Sequence, residues 1–222
     1  MPTLFNRAVK SLTLTCAALL SSLASQPAWS LPMGFKNSWM FMAEKSEHGQ
    51  EAVINYALTH QDAVGVTTNQ YKHTGRPHQW DFQELLYVRK AHRWNLPDAQ
   101  ANFWLMASVG QMDGHNRSSR MSYSPGFQLD YETTRLYAGL NARLVRAKDV
   151  NFDTVGAKLG FSFYEVAYNQ VQPWFMLDLK RTRELSDKIE VTPTLRLIHN
   201  RYFVELGVNT SGDLRASFMY LY

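Results

Sequence analysis

Apolar and polar residues alternate along almost the whole chain, and this period of two restricts the possible folds more than any other feature. In "ANFWLMASVG" (101–110), Phe103 and Leu105 fall on one side, and Asn102 falls on the other. The side chains of a β-strand point alternately to opposite faces, whereas a helix needs apolar residues every three or four positions. The pattern therefore predicts an all-β protein.

Twelve alternating segments can be counted, and polar connections separate them. Longer connections such as "KHTGRPHQ" (72–79) and "MDGHNRSSRMS" (112–122) alternate with shorter ones such as "DYETT" (130–134). Long loops at one end and tight turns at the other are typical of an outer-membrane barrel. We therefore predict a single closed, antiparallel, up-and-down transmembrane β-barrel of about twelve strands, with ten or eight strands as alternatives.

The N-terminus has the parts of a secretory signal peptide. Arg7 and Lys10 precede the apolar run "SLTLTCAALLSSLA" (11–24), and the small-residue site "AWS" (28–30) follows it. These features predict cleavage before Leu31.

This assignment divides the chain into a signal peptide over residues 1–30 and a barrel domain over residues 31–222. A barrel exported in this way is expected in the bacterial outer membrane. Its expected partners are the lipid of that membrane and the barrel-insertion machinery, while the sequence does not indicate an oligomeric state.

Composition argues against two further classes of protein. The chain has 23 Lys and Arg against 19 Asp and Glu. Two of the basic residues lie in the predicted signal, so the mature chain is close to neutral and lacks the basic surface of a nucleic-acid-binding protein. Cys16 is the single cysteine and also lies in the signal, so the mature chain can form no disulfide.

The last eight residues, "RASFMYLY" (215–222), end on an aromatic side chain. Phe218, Tyr220 and Tyr222 share one face of a period-two strand. A terminal aromatic behind alternating apolar residues resembles the closing strand of bacterial outer-membrane barrels. This resemblance implies that the insertion machinery reads the strand and that it pairs with the first strand, which removes the edge of the sheet.

Four further stretches carry a second resemblance: "LPMGFKNSWM", "RWNLPDAQAN", "QLDYETTRLYA" and "VTPTLRLIHNRYFVELGVN". They are similar to a family of small, uncharacterised proteobacterial outer-membrane barrel proteins. That family offers no active site that could be transferred to this chain.

If the apolar face of each predicted strand contacts lipid, the opposite face lines the lumen. The ionisable residues of that face carry both signs in nearly equal numbers. Mixed charges in a narrow barrel are expected to pair, because an unpaired buried charge is unfavourable, whereas a selective pore tends to carry charges of one sign. Glu84 falls on the lipid face in this assignment, which leaves it unexplained. The predicted lumen charges are Asp81, Arg89, Asp130, Arg143, Lys158, Asp178, Lys180, Glu190, Arg196, Glu205 and Arg215.

Methionine and histidine raise the question of a metal. The methionines within predicted strands all fall on the lumen face, and several histidines lie in loops. Thioethers suit Cu(I) and imidazoles suit Cu(II) or Zn(II), although methionine is also a flexible filler of protein interiors. The main expectation is no cofactor, with copper handling as an alternative function. The candidate ligands are Met40, Met42, Met106, Met176, Met219, His48, His73, His78 and His115.

No catalytic residues are predicted. His48 and His115 have serines nearby, and His199 lies in a tight turn, but no spacing fixes a nucleophile, a base and an orienting acid together. The sequence thus predicts a non-enzymatic protein with a structural role or a role in the passage of small solutes or ions. An outer-membrane lipid hydrolase and a soluble periplasmic β-barrel binding protein are alternatives, since a soluble barrel also alternates, with its apolar face inward.

Overall fold

Twelve strands form one closed antiparallel barrel in the computed structural model. The predicted fold class and strand number are confirmed, and the alternatives of ten and eight strands are wrong. The described part of the chain contains no helix that is long and apolar enough to cross a bilayer. The structure describes residues 32–73, 79–114, 119–167, 169–186 and 188–222, so the predicted signal peptide, His78 and His115 lie outside the described residues.

Each strand pairs with its neighbours in chain order, as in an up-and-down barrel. The strands are β1 (Trp39–Ser46), β2 (Gly49–Ala57), β3 (Asp62–Lys72), β4 (Gln79–Asn95), β5 (Gln100–Gly114), β6 (Arg120–Glu132), β7 (Leu136–Ala147), β8 (Val150–Phe161), β9 (Gln172–Thr182), β10 (Glu190–His199), β11 (Tyr202–Val208) and β12 (Leu214–Leu221).

The last strand closes the barrel against the first. β12 pairs with β1 from Leu221 opposite Met40 to Ala216 opposite Lys45. The aromatic residues of the closing strand point outward, and the ring of Tyr220 stacks on Tyr202 with 4.8 Å between ring centroids. The predicted pairing of the two terminal strands is confirmed, while recognition of Phe218, Tyr220 and Tyr222 by the insertion machinery stays a prediction.

Large apolar side chains cover the outside of the barrel, and polar side chains fill much of the inside. Leu105 and Val109 of β5 are exposed, whereas Asn102 and Ser108 of the same strand are buried in the lumen. A soluble barrel would have the reverse arrangement, because an apolar outer surface of this extent requires lipid around it. The outer surface therefore indicates a membrane-spanning barrel, and the soluble periplasmic alternative is wrong.

The two ends of the barrel differ less in loop length than the sequence suggested. We call the end with residues 32–38 and Tyr222 the terminal end, and the opposite one the distal end. The longest connection, 162–171, lies at the terminal end, while β1 and β2 meet at the distal end in a tight hairpin in which Ser46 pairs with Gly49. Tight turns therefore occur at both ends, contrary to the predicted contrast.

Two apolar regions lie inside the barrel, one near each end. The distal apolar cluster includes Leu185, which lies in the β9–β10 connection and packs inside the lumen. It consists of Phe82, Met112, Val145, Val150, Phe152 and Leu185, with Tyr71, Trp80 and Ala147 beside it. The terminal apolar layer consists of Met33, Met40, Val53, Ala57, Ala63, Val88, Trp104, Tyr137, Trp174, Met176, Ile198, Phe203, Met219 and Leu221, with Met42, Leu86 and Met106 packed against them.

Candidate functional site

A central cavity of 260 Å³ lies between the two apolar regions. Hydroxyl, amide and charged side chains are the majority of the residues that line it, beside methionine and aliphatic side chains. The charged side chains that line it are Glu44, Glu51, Arg143, Lys158, Asp178, Lys180 and Arg215. This cavity is the candidate functional site.

Arg143 of β7 reaches across the lumen to carboxylates on two distant strands. Its Nη1 lies 2.8 Å from Oε1 of Glu51 on β2, and its Nη2 lies 3.1 Å from Oε2 of Glu84 on β4. Neither β2 nor β4 is a neighbour of β7 in the barrel. A single guanidinium therefore connects opposite walls, which the planar fork of donors on arginine makes geometrically favourable.

Three serine hydroxyls complete the environment of Glu84. Ser108 donates to its Oε2 at 2.6 Å, and Ser122 and Ser124 donate to its Oε1 at 2.9 and 3.0 Å. The Glu84 side chain is 1 % exposed, so these contacts replace the water that the carboxylate lost on burial. We call Arg143, Glu51, Glu84 and the three serines the Arg143 network.

A second set of ion pairs lines the wall formed by β8–β12 and β1. Arg215 contacts Asp178 and also Glu44, at 3.0 Å, while Lys158 lies 3.2 Å from Asp178 and 3.1 Å from Glu205. The remaining pairs join Arg196 to Glu205 at 2.6 Å and Lys180 to Glu44 at 3.8 Å. We call these residues the Arg215 network: Glu44, Lys158, Asp178, Lys180, Arg196, Glu205 and Arg215.

Arg196 connects the Arg215 network to the terminal apolar layer. It is fully buried, and its guanidinium carbon lies 4.6 Å from the ring centroid of Phe203 and 5.3 Å from that of Tyr137. Such stacking stabilises a desolvated guanidinium through the negative face of the aromatic ring. The cation is thus held between a carboxylate and two rings.

Asp130 lies at the same end of the lumen, inside the barrel as the sequence predicted. Its carboxylate accepts hydrogen bonds from Asn102 at 2.6 Å and from the indole of Trp104 at 2.8 Å. Glu132, two residues further along the same face, is buried, and its two oxygens accept no hydrogen bond from the described residues.

Two predicted lumen charges, Arg89 and Asp81, lie on the outer face of β4. The Arg89 side chain is 49 % exposed and binds Asp62 at 2.9 Å. Asp81 accepts a hydrogen bond from Gln70 at 2.9 Å and stands opposite it in the β3–β4 ladder, outside the barrel.

The assignment of faces in β4 was wrong because this strand is apolar on both sides. Phe82 and Val88 are buried in the lumen, while Leu85 and Tyr87 are exposed outside. Glu84 therefore belongs to the lumen, and its predicted position on the lipid face was wrong.

The other predicted lumen charges all point inward, and the sequence also missed two of the cavity's carboxylates. Glu44 and Glu51 are absent from the predicted lumen charges, whereas β1 extends to Ser46 and β2 begins at Gly49, so both carboxylates lie within strands. Gly49 lets β2 begin close against β3, because a Cβ at this position would lie 1.8 Å from the carbonyl oxygen of Gln70.

The candidate copper ligands lie in two separate parts of the barrel. All five predicted methionines point into the lumen, where they form part of the terminal apolar layer with aromatic and aliphatic side chains. His48 lies at the distal end, and His73 follows β3 at that end too. The structure does not bring the thioethers and these imidazoles together.

His48 lies beside two carboxylates at the distal mouth. Its Nε2 lies 2.9 Å from Oε1 of Glu190, the first residue of β10. This hydrogen bond raises the pKa of His48 above its ordinary value, and burial opposes the shift. Glu47 contributes a third polar group close to the same point.

Comparisons with known proteins identify similar folds only. No family model and no curated protein matches the chain. Among solved structures, it is similar to the KdgM porin (13% identity, TM-score 0.47, 83% of this chain and 98% of that one). It is also similar to the KdgM porin in complex with disordered oligogalacturonate (12%, 0.48, 83% and 98%) and to LpxR from Salmonella typhimurium (8%, 0.48, 82% and 99%). Likenesses at this level of identity assign neither a family nor an activity to the chain.

Proposed function

We propose that this protein is a non-enzymatic outer-membrane barrel that passes small solutes or ions through its lumen. The observation that carries the proposal is the central cavity, whose wall offers both carboxylates and cations. A mixed wall binds small ions of either sign weakly and gives little charge selectivity, unlike a ring of one sign.

The terminal apolar layer would act as the gate of this passage. Met33 is buried in this layer, although it belongs to the segment that precedes β1. The backbone carbonyl of the neighbouring Pro32 accepts a hydrogen bond from Asn55 at 2.8 Å. Methionine side chains repack easily because they are unbranched and have three rotatable bonds, so a layer rich in them can open without unfolding of the sheet.

A plugged barrel with a structural role is the second candidate. Two contacts across the lumen favour it: the Arg143 ion pairs and the distal pair of Tyr71 on β3 and Phe152 on β8, with 5.2 Å between ring centroids. These contacts narrow the lumen at two levels. A permanently filled barrel would still span the membrane and contribute to the envelope.

Conductance in planar bilayers distinguishes the two candidates. We expect discrete steps from the refolded protein and larger or more frequent steps from Met33→Ser, because the substitution removes the thioether that helps to seal the terminal layer. Met121→Ser is the matched control, since Met121 is 72 % exposed on the outer face. Absence of steps in both wild type and Met33→Ser, across a range of voltages, would contradict the passage function and support the plugged barrel.

The orientation and location can be tested by labelling. We propose that the distal end faces the outside of the cell and the terminal end faces the periplasm, as in bacterial outer-membrane barrels. Single cysteines are convenient, since the predicted mature chain has none. Ser211→Cys at the distal end should react with an impermeant maleimide in intact cells, whereas Gln170→Cys should react only after permeabilisation. Labelling of both in intact cells, or of neither, would contradict this location.

A further inference from the structure

We propose that Glu47, His48 and Glu190 form a binding site for one divalent transition-metal ion, with Zn²⁺ as the representative, at the distal mouth of the lumen. One ligand atom from each residue can be chosen so that all three lie within 4.8 Å of one another. This proposal would stand even if the protein passed no solute, because Glu47, His48 and Glu190 belong neither to the terminal apolar layer nor to the Arg143 network.

The three residues come from two segments far apart in the sequence. Glu47 and His48 form the β1–β2 connection, and Glu190 begins β10. His48 is only 6 % exposed, and its Nε2 points at Glu190 over 2.9 Å. A buried imidazole between two carboxylates is unusual for a surface loop, and it gives one nitrogen and two oxygen ligands converging on one point.

The backbone and a neighbouring loop hold these ligands in place. The carbonyl of His48 accepts a hydrogen bond from the amide of Lys72 at 2.8 Å, which fixes the hairpin against β3. The Asn209 side chain, from the β11–β12 connection, donates to Oε2 of Glu47 at 2.8 Å. Hydrogen bonds of this kind to a ligating carboxylate orient it and raise metal affinity.

The donor set decides which metal fits. Imidazole and carboxylate ligands suit Zn²⁺ and the neighbouring divalent ions, whereas Cu(I) prefers the thioethers that lie in the terminal apolar layer. Two carboxylates and a neutral imidazole also balance the charge of a divalent cation. A metal ion bound here would replace the hydrogen bond between His48 and Glu190.

Calorimetric titration of the refolded mature protein with Zn²⁺ tests the site. We expect one site, with affinity reduced tenfold or more in His48→Ala and in Glu190→Gln. His199→Ala is the matched control, because His199 lies at the terminal end and should leave the affinity unchanged. Absence of saturable binding in wild type, or wild-type affinity in a folded His48→Ala, would overturn the proposal.

A measurement on the unmodified protein covers the case in which a variant fails to fold. In protein labelled with ¹⁵N-histidine, Zn²⁺ should shift the side-chain NMR resonances of His48, while those of His199 in the same molecule stay unchanged. A shift at both histidines or at neither would show that the ion binds elsewhere or not at all, and would overturn the proposal.

Discussion

The Arg143 network and the Arg215 network both hold carboxylates inside the barrel, but they distribute charge in opposite ways. In the first, one guanidinium serves two carboxylates, Glu51 and Glu84. In the second, four cations serve three carboxylates. The first network therefore has one excess negative charge and the second one excess positive charge, and this difference teaches that two parts of one lumen can respond very differently to the loss of a single cation.

The two networks differ in the number of cations that each buried carboxylate contacts. In the Arg215 network each carboxylate contacts two cations: Asp178 has Lys158 and Arg215, while Glu205 has Lys158 and Arg196. Among the ion pairs of the described residues, Glu84 has Arg143 as its one cation. Loss of Arg143 therefore leaves a buried charge without a counter-ion, whereas loss of a cation in the Arg215 network does not.

The largest effect is expected for Arg143→Met. Removing one partner of a buried ion pair destabilises a protein by about 3–5 kcal/mol, because the remaining charge stays buried. Since the Arg143 side chain keeps some exposure, we expect a value near the lower end of that range. The folded fraction in a urea titration, read from heat-dependent electrophoretic migration, measures the effect.

Adding Glu84→Gln to this variant should restore part of the lost stability. The amide removes the uncompensated charge, and it can keep hydrogen bonds to the serine hydroxyls of its neighbours. The same urea titration of the double variant checks this expectation. A double variant less stable than Arg143→Met would show that hydrogen bonding, and not charge, dominates the network.

Arg215→Met should have an intermediate effect of about 1.5–3 kcal/mol, in the range of hydrogen bonds to charged groups. Lys158 and Lys180 still neutralise Asp178 and Glu44 after the substitution. Comparison of the urea midpoint of Arg215→Met with that of Arg143→Met measures how far the remaining cations compensate for the lost one. A loss equal to that of Arg143→Met would remove the distinction between the two networks.

The smallest effect is expected for Arg89→Met on the outer face. Its ion pair with Asp62 is exposed, and exposed pairs contribute little because water and salt screen them. The urea midpoint should not change measurably. A clear loss of stability would contradict this expectation. It would mean that lipid headgroups, and not water, surround the Arg89–Asp62 pair, so that the pair is screened less.

The sequence predicted the barrel and much of its inner face, because alternation alone defines both. Inward charges on β7–β12, such as Arg143, Lys158 and Asp178, follow directly from the period of two. β4 could not be assigned in this way, since Phe82 and Leu85 are equally apolar on opposite faces. The ends of strands are also poorly defined by alternation, and for this reason Glu44, near the end of β1, was missed as a lumen charge.

Contacts across the lumen could not be predicted from the sequence. Alternation says that Arg143 and Glu51 face inward, but it does not say which strands face each other, since that depends on the closure and cross-section of the barrel. The same limit applies to the metal candidates. Ligand type grouped His48 with Met106, whereas the structure places ligand atoms of Glu47 and Glu190 within 4.8 Å of that of His48.

The ion pairs that Arg143 forms across the lumen also bear on the order in which the barrel folds. Hairpin pairing joins residues that are close in the chain, but Arg143 and Glu51 are 92 residues apart. Contacts of such separation form late, because the entropy of closing the intervening chain must first be overcome. We therefore expect the ion pairs of Arg143 to form late in insertion, when the sheet has curved far enough for β7 to face β2.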